Sequence, residues 1–185
     1  MIQGWLNPTP SPEKLLKAYV STGETKYIKL LFEQFNAPLF HYLLSQSTKE
    51  TAEDVLQTTW LNVMRSDSCD HINVKSWLYT IARHNLIDEL RRQNRWQQVS
   101  IGEKHLDETM RTMRLEQDHE NKSRLELFNF AVDRLPFHQR ESFIFQQEGF
   151  SVNEICQLTN ANFETVKSRL RYARQFIKKV MESFQ

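Results

Sequence analysis

Ser151-Val152-Asn153-Glu154-Ile155-Cys156-Gln157-Leu158-Thr159-Asn160-Ala161-Asn162-Phe163-Glu164-Thr165-Val166-Lys167-Ser168-Arg169-Leu170-Arg171-Tyr172-Ala173-Arg174 is the stretch from which the fold is read. Ser151 followed three residues later by Glu154 is a capping box, in which each side chain satisfies an amide left open by the other's end of the first turn. It predicts a short helix to about Leu158. Thr159 to Asn162 is a tight connection, with Asn160 able to adopt the left-handed conformation. Asn162 caps a last helix of about Phe163 to Met181, and Glu164 suits the positive end of its dipole. Helix, short turn, helix is the helix-turn-helix arrangement.

The last helix divides by face. Phe163, Val166, Leu170, Ala173, Ile177 and Val180 recur at three- and four-residue steps, one apolar stripe. Lys167, Arg171, Arg174 and Lys178 lie along another side, with Thr165, Ser168 and Arg169 beside them. Cations and short hydrogen-bonding side chains on one face are what a DNA major groove accepts. A lone basic helix is ordinarily a solvated face; the capping box, turn and basic helix together favour DNA.

The rest of the chain reads as helical too. Its 185 residues contain four glycines and five prolines, against roughly 7% glycine in ordinary proteins. Between Pro38 and Pro136 the only glycine is Gly102, too few turn-formers for many hairpins. Helices are expected from Pro12 to Val20, Glu24 to Phe35, Pro38 to Leu44 after a joint at Asn36-Ala37-Pro38, Thr51 to Arg65 and Val74 to Arg95. Others are expected from Glu116 to Arg134 and Phe137 to Glu148, the latter stopped by Gly149. The fold class is therefore all-α, as two small helical domains joined by a linker.

No apolar run approaches the ~18–20 residues of a membrane span. Met1 to Pro12 lacks the features of a secretory signal, and Cys69 and Cys156 make no disulfide framework, so the cytoplasm is the expected compartment. Cys69-Asp70-His71 and Asp118-His119-Glu120 offer too few ligands for a metal site. No nucleophile arrangement, phosphate loop or cofactor motif is present, so neither an enzyme nor a small-molecule substrate is expected.

Net charge is +1, but it is unevenly spread. Residues 1–74 sum to −2, 75–96 to +3, 97–135 to −2 and 136–185 to +2. Two separated basic segments suggest two places that meet a polyanion. The first interleaves Trp77, Tyr79, Arg83, His84, Arg91, Arg92, Arg95 and Trp96, cations for phosphates and aromatic faces for unpaired bases. Trp77 itself reads as core. Glu53, Asp54, Gln57, Thr58 and Asn62 form an acidic and polar face whose role the residues alone leave open between solvent and a basic protein partner.

Taken in order, Ala52-Glu53-Asp54-Val55-Leu56-Gln57 with Trp60, then Ser76-Trp77-Leu78-Tyr79-Thr80-Ile81-Ala82-Arg83-His84-Asn85 and Asp88-Glu89-Leu90-Arg91-Arg92, resemble region 2 of bacterial sigma factors. Leu135-Pro136 with Arg140, Gly149 to Ile155, and Thr165 to Arg174 resemble region 4. Two regions and a short linker resemble the extracytoplasmic-function (ECF) type. The resemblance implies an alternative sigma factor, with a region 2 domain over 1–96, a linker over 97–119 and a region 4 domain over 120–185. It implies core RNA polymerase and promoter DNA as partners, and an anti-sigma protein is a common family arrangement. Carried over by motif, Glu53, Asp54, Gln57 and Asn62 dock on the polymerase. Arg83, His84, Asn85, Asp88, Arg91, Arg92 and Arg95 approach the −10 element, where a loop of about Ser66 to Asn73 captures a flipped base. Thr165, Lys167, Ser168, Arg169, Arg171 and Arg174 read the −35 element. The chain departs from the pattern at Cys156, at Asn162-Phe163-Glu164 and at Arg171-Tyr172, which bears on base preference rather than on the helix-turn-helix.

Two weakly basic faces predict weak binding to duplex DNA by the free chain, because affinity follows the phosphates neutralised. Mounting both on one polymerase supplies effective concentration, and a linker of roughly 20 residues spans tens of ångströms even as a coil. The competing reading is a stand-alone helix-turn-helix regulator, which requires dimerisation and tight operator binding without polymerase; no obvious dimerisation helix supports it.

Overall fold

The computed structural model describes residues 10–67, 73–93 and 123–182. Among the described residues the regular elements are all α-helices: α1 (Pro12–Thr22), α2 (Thr25–Gln46), α3 (Lys49–Met64), α4 (Val74–Arg92), α5 (Arg124–Asp133), α6 (Phe137–Gln147), α7 (Val152–Thr159) and α8 (Phe163–Glu182). Local chemistry sets their ends. Ser11, Thr48, Asn73, Ser123 and Ser151 each accept an amide of the following first turn. Gly23 ends α1 at φ 69°, a conformation that glycine adopts without steric cost.

Two expectations are corrected. The joint at Asn36-Ala37-Pro38 does not exist: α2 runs unbroken through Pro38. A proline inside a helix forfeits one amide bond and crowds the carbonyl four residues back. Here Leu31 and Phe35 before it and Leu39, Tyr42 and Leu43 after it are all buried on one side. That continuous apolar seam holds the axis together across the proline. The helix at Thr51 also begins earlier, since Thr48 rather than Thr51 supplies the cap and Thr51 is buried. The helix expected from Glu116 is described from Arg124, capped by a Ser123–Glu126 capping box. The expected linker, 97–119, lies outside the described residues, as do Arg95 and most of the Ser66–Asn73 loop.

Helices α1 to α4 pack on one another, α1 against α2 and α4, and α3 against α2 and α4. Helices α5, α6 and α8 enclose a separate apolar cluster containing Ala131, Val132, Leu135, Phe143, Ala173, Phe176 and Val180. The two groups do not stand apart. Phe137, Phe145, Phe150, Ile155, Leu158, Val166 and Leu170 join the buried cluster of α1–α4. At the seam, Tyr42 of α2 and Tyr79 of α4 meet Phe145 of α6 and Phe150, with ring centroids 4.8 Å apart for Tyr42–Phe145 and 5.0 Å for Tyr79–Phe150. Such tilted and edge-on aromatic contacts add to the burial itself.

Candidate nucleic-acid interface

The turn between α7 and α8 is built as the residues require. Asn160 takes φ 51° and ψ 43° and closes α7. Asn162 accepts the Thr165 amide through its side chain at 2.8 Å and that of Val166 through its carbonyl. Ser151 and Glu154 complete their reciprocal capping box, and these hydrogen bonds hold the Glu154 carboxyl below the usual range. Val166, Leu170, Ala173, Ile177 and Val180 are buried as expected, joined by Phe176. Phe163 is not: it is 45% exposed, standing at the first turn, where Lys167 lies over its ring. Phe176 was missed because it lies beside the stripe rather than on its strict period.

Along the opposite side of α8, Lys167, Arg171 and Arg174 are exposed, and Thr165, Ser168 and Arg169 are half-buried beside them. Lys167 is 3.7 Å from Glu164, an exposed pair that screens weakly and restrains little. Arg171 stacks over Tyr172 at 5.0 Å, and Arg174 donates to Gln146 of α6. With Lys178, also exposed, four cations face solvent on one helix side.

The α3–α4 surface gathers the remaining candidates. Glu53, Asp54, Gln57 and Asn62 are exposed on α3. Asn62 donates to Asn85 at 3.2 Å, and Asn85 donates to Thr59 at 3.1 Å, so a docking candidate and a −10 candidate share one hydrogen-bond chain. A cleft of about 290 Å³ is lined by Asp54, Val55, Thr58, Asn85, Asp88, Glu89 and Arg92. Arg92 grips Glu89 with two bonds of 2.9 and 3.0 Å, which hold the Glu89 carboxyl below the ordinary range. Asp88 lies 3.6 Å from Arg91, and His84 is exposed. Trp77 packs against the core, as the sequence suggested.

Arg83 departs from its expected place. It is buried, not presented to solvent, and its guanidinium meets Glu141 of α6 through Nε at 2.8 Å and a terminal nitrogen at 3.3 Å. The position on α4 turns inward, where an unpaired charge costs several kcal/mol and demands a partner. Glu141 was not singled out from the sequence; a lone acid on a helix of mixed pattern gives no local signal of burial. Burial pushes its carboxyl up, but His138 and Arg83 outweigh that and hold it below the usual range.

The model of Sigma-70 region 2 matches residues 31–96, which span α2 to α4. The ECF RNA polymerase sigma factor SigM of Bacillus subtilis is 26% identical over 151 residues, covering 80% of this chain and 91% of that protein. SigX of the same organism is 27% identical over 164 residues, covering 83% of each. The chain is similar to ECF-type RNA polymerase sigma factors over most of its length. Among solved structures, the sigma factor RpoE, in its complex with the anti-sigma factor NepR from Bartonella quintana, superposes with a TM-score of 0.63 at 21% identity. It covers 88% of this chain and all of that one. CnrH, in complex with the cytosolic domain of CnrY, gives 0.62 at 17% identity. Both extend the shared all-helical fold beyond the segment matched by the region 2 model to the helices that carry the helix-turn-helix. None of the chain's described helices is long and apolar enough to cross a membrane.

Proposed function

We propose that this chain is an ECF-type sigma factor that docks on core RNA polymerase through the α3 face and reads a promoter at two places, the −10 element with α4 and the −35 element with α8. The observation that carries the reading is the pair of exposed polar faces on one chain: Glu53, Asp54, Gln57 and Asn62 on α3, and Lys167, Arg171 and Arg174 on α8. The first suits a basic protein surface. The second suits phosphates and base edges in a major groove. Residues 1–96, 97–119 and 120–185 are the corresponding region 2 domain, linker and region 4 domain.

On α4, His84, Asn85, Asp88, Arg91 and Arg92, continued by Arg95, are the residues offered to −10 DNA. Arg83 is committed to Glu141 at 2.8 Å. An anti-sigma protein of the kind found with RpoE is a fitting regulator, and the cytoplasm is the compartment in which the factor works. The chain supplies recognition, and the chemistry of RNA synthesis belongs to its partner.

Run-off transcription with core polymerase, with and without the chain, over a promoter library tests the proposal. A start-site-specific transcript that depends on the chain is expected. Neither transcript nor core binding, with tight duplex binding by the chain alone, would replace it with the stand-alone regulator.

A further inference from the structure

We infer that Phe163 is a base-reading residue of α8, which packs against the 5-methyl group of a thymine in the −35 element and makes that base preferred. The inference rests on the promoter-reading function proposed above. Phe163 opens α8, and on the apolar period it belongs with Val166 and Leu170, which are 0% and 2% exposed. Phe163 is 45% exposed instead, so much of the gain from burying an aromatic ring is forgone within the chain itself. A single exposed apolar side chain is ordinary. This one is set apart by its neighbours.

Phe163 begins a line that continues through Lys167, Arg171, Arg174 and Lys178 at steps of four, four, three and four, and all five are exposed. Residues so spaced share one side of a helix. The apolar member of the line stands at its N-terminal end, the end that a recognition helix turns to base edges. The first turn is fixed in advance, since Asn162 accepts the Thr165 amide at 2.8 Å and the Val166 amide through its carbonyl. Lys167 Nζ lies 5.3 Å from the centre of the Phe163 ring. A ring already placed loses little freedom on contact. The ammonium also indicates which part of the DNA the ring meets. Lysines take phosphates, and the pyrimidine position nearest its own strand's backbone in the major groove is C5, where thymine carries its methyl group. With Lys167 on a phosphate, the ring beside it lies against that edge of the groove. Cytosine offers there a bare carbon next to an N–H donor, and purines offer polar edges, so thymine gives the ring its best apolar contact.

The test measures polymerase-dependent binding of the full chain to a promoter taken from the run-off library. Each −35 thymine, on either strand, is replaced in turn by deoxyuridine, which removes one methyl group and keeps the base pair. At one position the wild type is expected to lose about fourfold in affinity, the scale of one buried methyl or methylene group. Phe163→Ala is expected to bind the thymine promoter more weakly by at least that factor and to lose nothing further on deoxyuridine. Its helicity and its binding to core polymerase without DNA are expected to be unchanged. Should Phe163→Ala lose helicity, Phe163→Gln, a good helix former with a polar tip, decides on the same readouts. A wild type indifferent to every deoxyuridine, a −35 element without thymine, or a folded variant that keeps the full deoxyuridine loss overturns the role of Phe163 and leaves promoter reading in place. Loss of core binding in a folded variant assigns the ring to a protein contact and overturns the inference likewise. A chain with no polymerase-dependent binding to any promoter overturns the promoter reading itself, and Phe163 loses its role with it.

Discussion

The indole nitrogen of Trp60 donates to the side-chain oxygen of Asn36 at 3.0 Å, tying α3 to α2 two residues before Pro38. Trp60 is 6% exposed and its ring meets Phe32 at 5.1 Å, so the indole has no ready substitute for the lost acceptor. Asn36→Ala is expected to cost about 1–2 kcal/mol, the penalty of a buried donor left without a partner. Urea unfolding followed by tryptophan fluorescence measures it, and a loss below the error of the method would show that water serves the indole instead.

Pro38 itself sits against local preference. An interior proline is about 3 kcal/mol worse than alanine in a helix, while it stiffens the unfolded chain by roughly 0.4–1 kcal/mol in the other direction. Pro38→Ala is therefore expected to stabilise the protein by about 2 kcal/mol in urea unfolding. A destabilised variant would mean that a bend at this point is needed by the packing of Leu39, Tyr42 and Leu43.

What the sequence made legible were the features whose cause is local. Ser151, Glu154, Asn160 and Asn162 act within a few residues of themselves, and each does what its chemistry demanded. The basic side of α8 followed from period alone. Pro38 misled because local preference yielded to packing on both sides of it. Arg83 misled because a cation between Ala82 and His84 has the same local signature whether it meets phosphate or a carboxylate 58 residues away. Its partner is set by how α6 lies on α2 and α4, and no spacing within one helix encodes that.

Glu141 gives the protein a signature in acid. Its carboxyl is held below the ordinary 4.5 by His138 and Arg83 despite burial. A group with a lowered folded pKa stabilises the fold above its unfolded value, and that share is lost as pH falls through the folded one. Stability is therefore expected to fall below about pH 4.5 by more in the wild type than in Glu141→Gln. At pH 7 the variant is expected to be about 3 kcal/mol less stable, the scale of breaking a buried pair. Thermal unfolding of both proteins between pH 3 and 7 checks it. Parallel curves would show that Glu141 carries no such share.

Lys167 and Arg171 separate recognition from folding. Both are exposed, Lys167 with an acidic neighbour at 3.7 Å and Arg171 stacked on an exposed ring. Truncating either to alanine removes no buried contact, so each variant is expected to keep its stability within about 0.5 kcal/mol. A cation that neutralises one phosphate contributes about one unit to the salt slope of binding. If Lys167 serves that role, Lys167→Ala lowers the slope of polymerase-dependent binding to the −35 element by about one, with little regard to base sequence. If Arg171 reads a base edge, Arg171→Ala instead costs about 1–3 kcal/mol on the preferred sequence and much less on scrambled ones. Core polymerase binding, measured without DNA, should be unchanged in both. Loss of core binding in step with promoter binding would place α8 in the polymerase contact and not in the groove, and the assignment of the two faces would have to be exchanged.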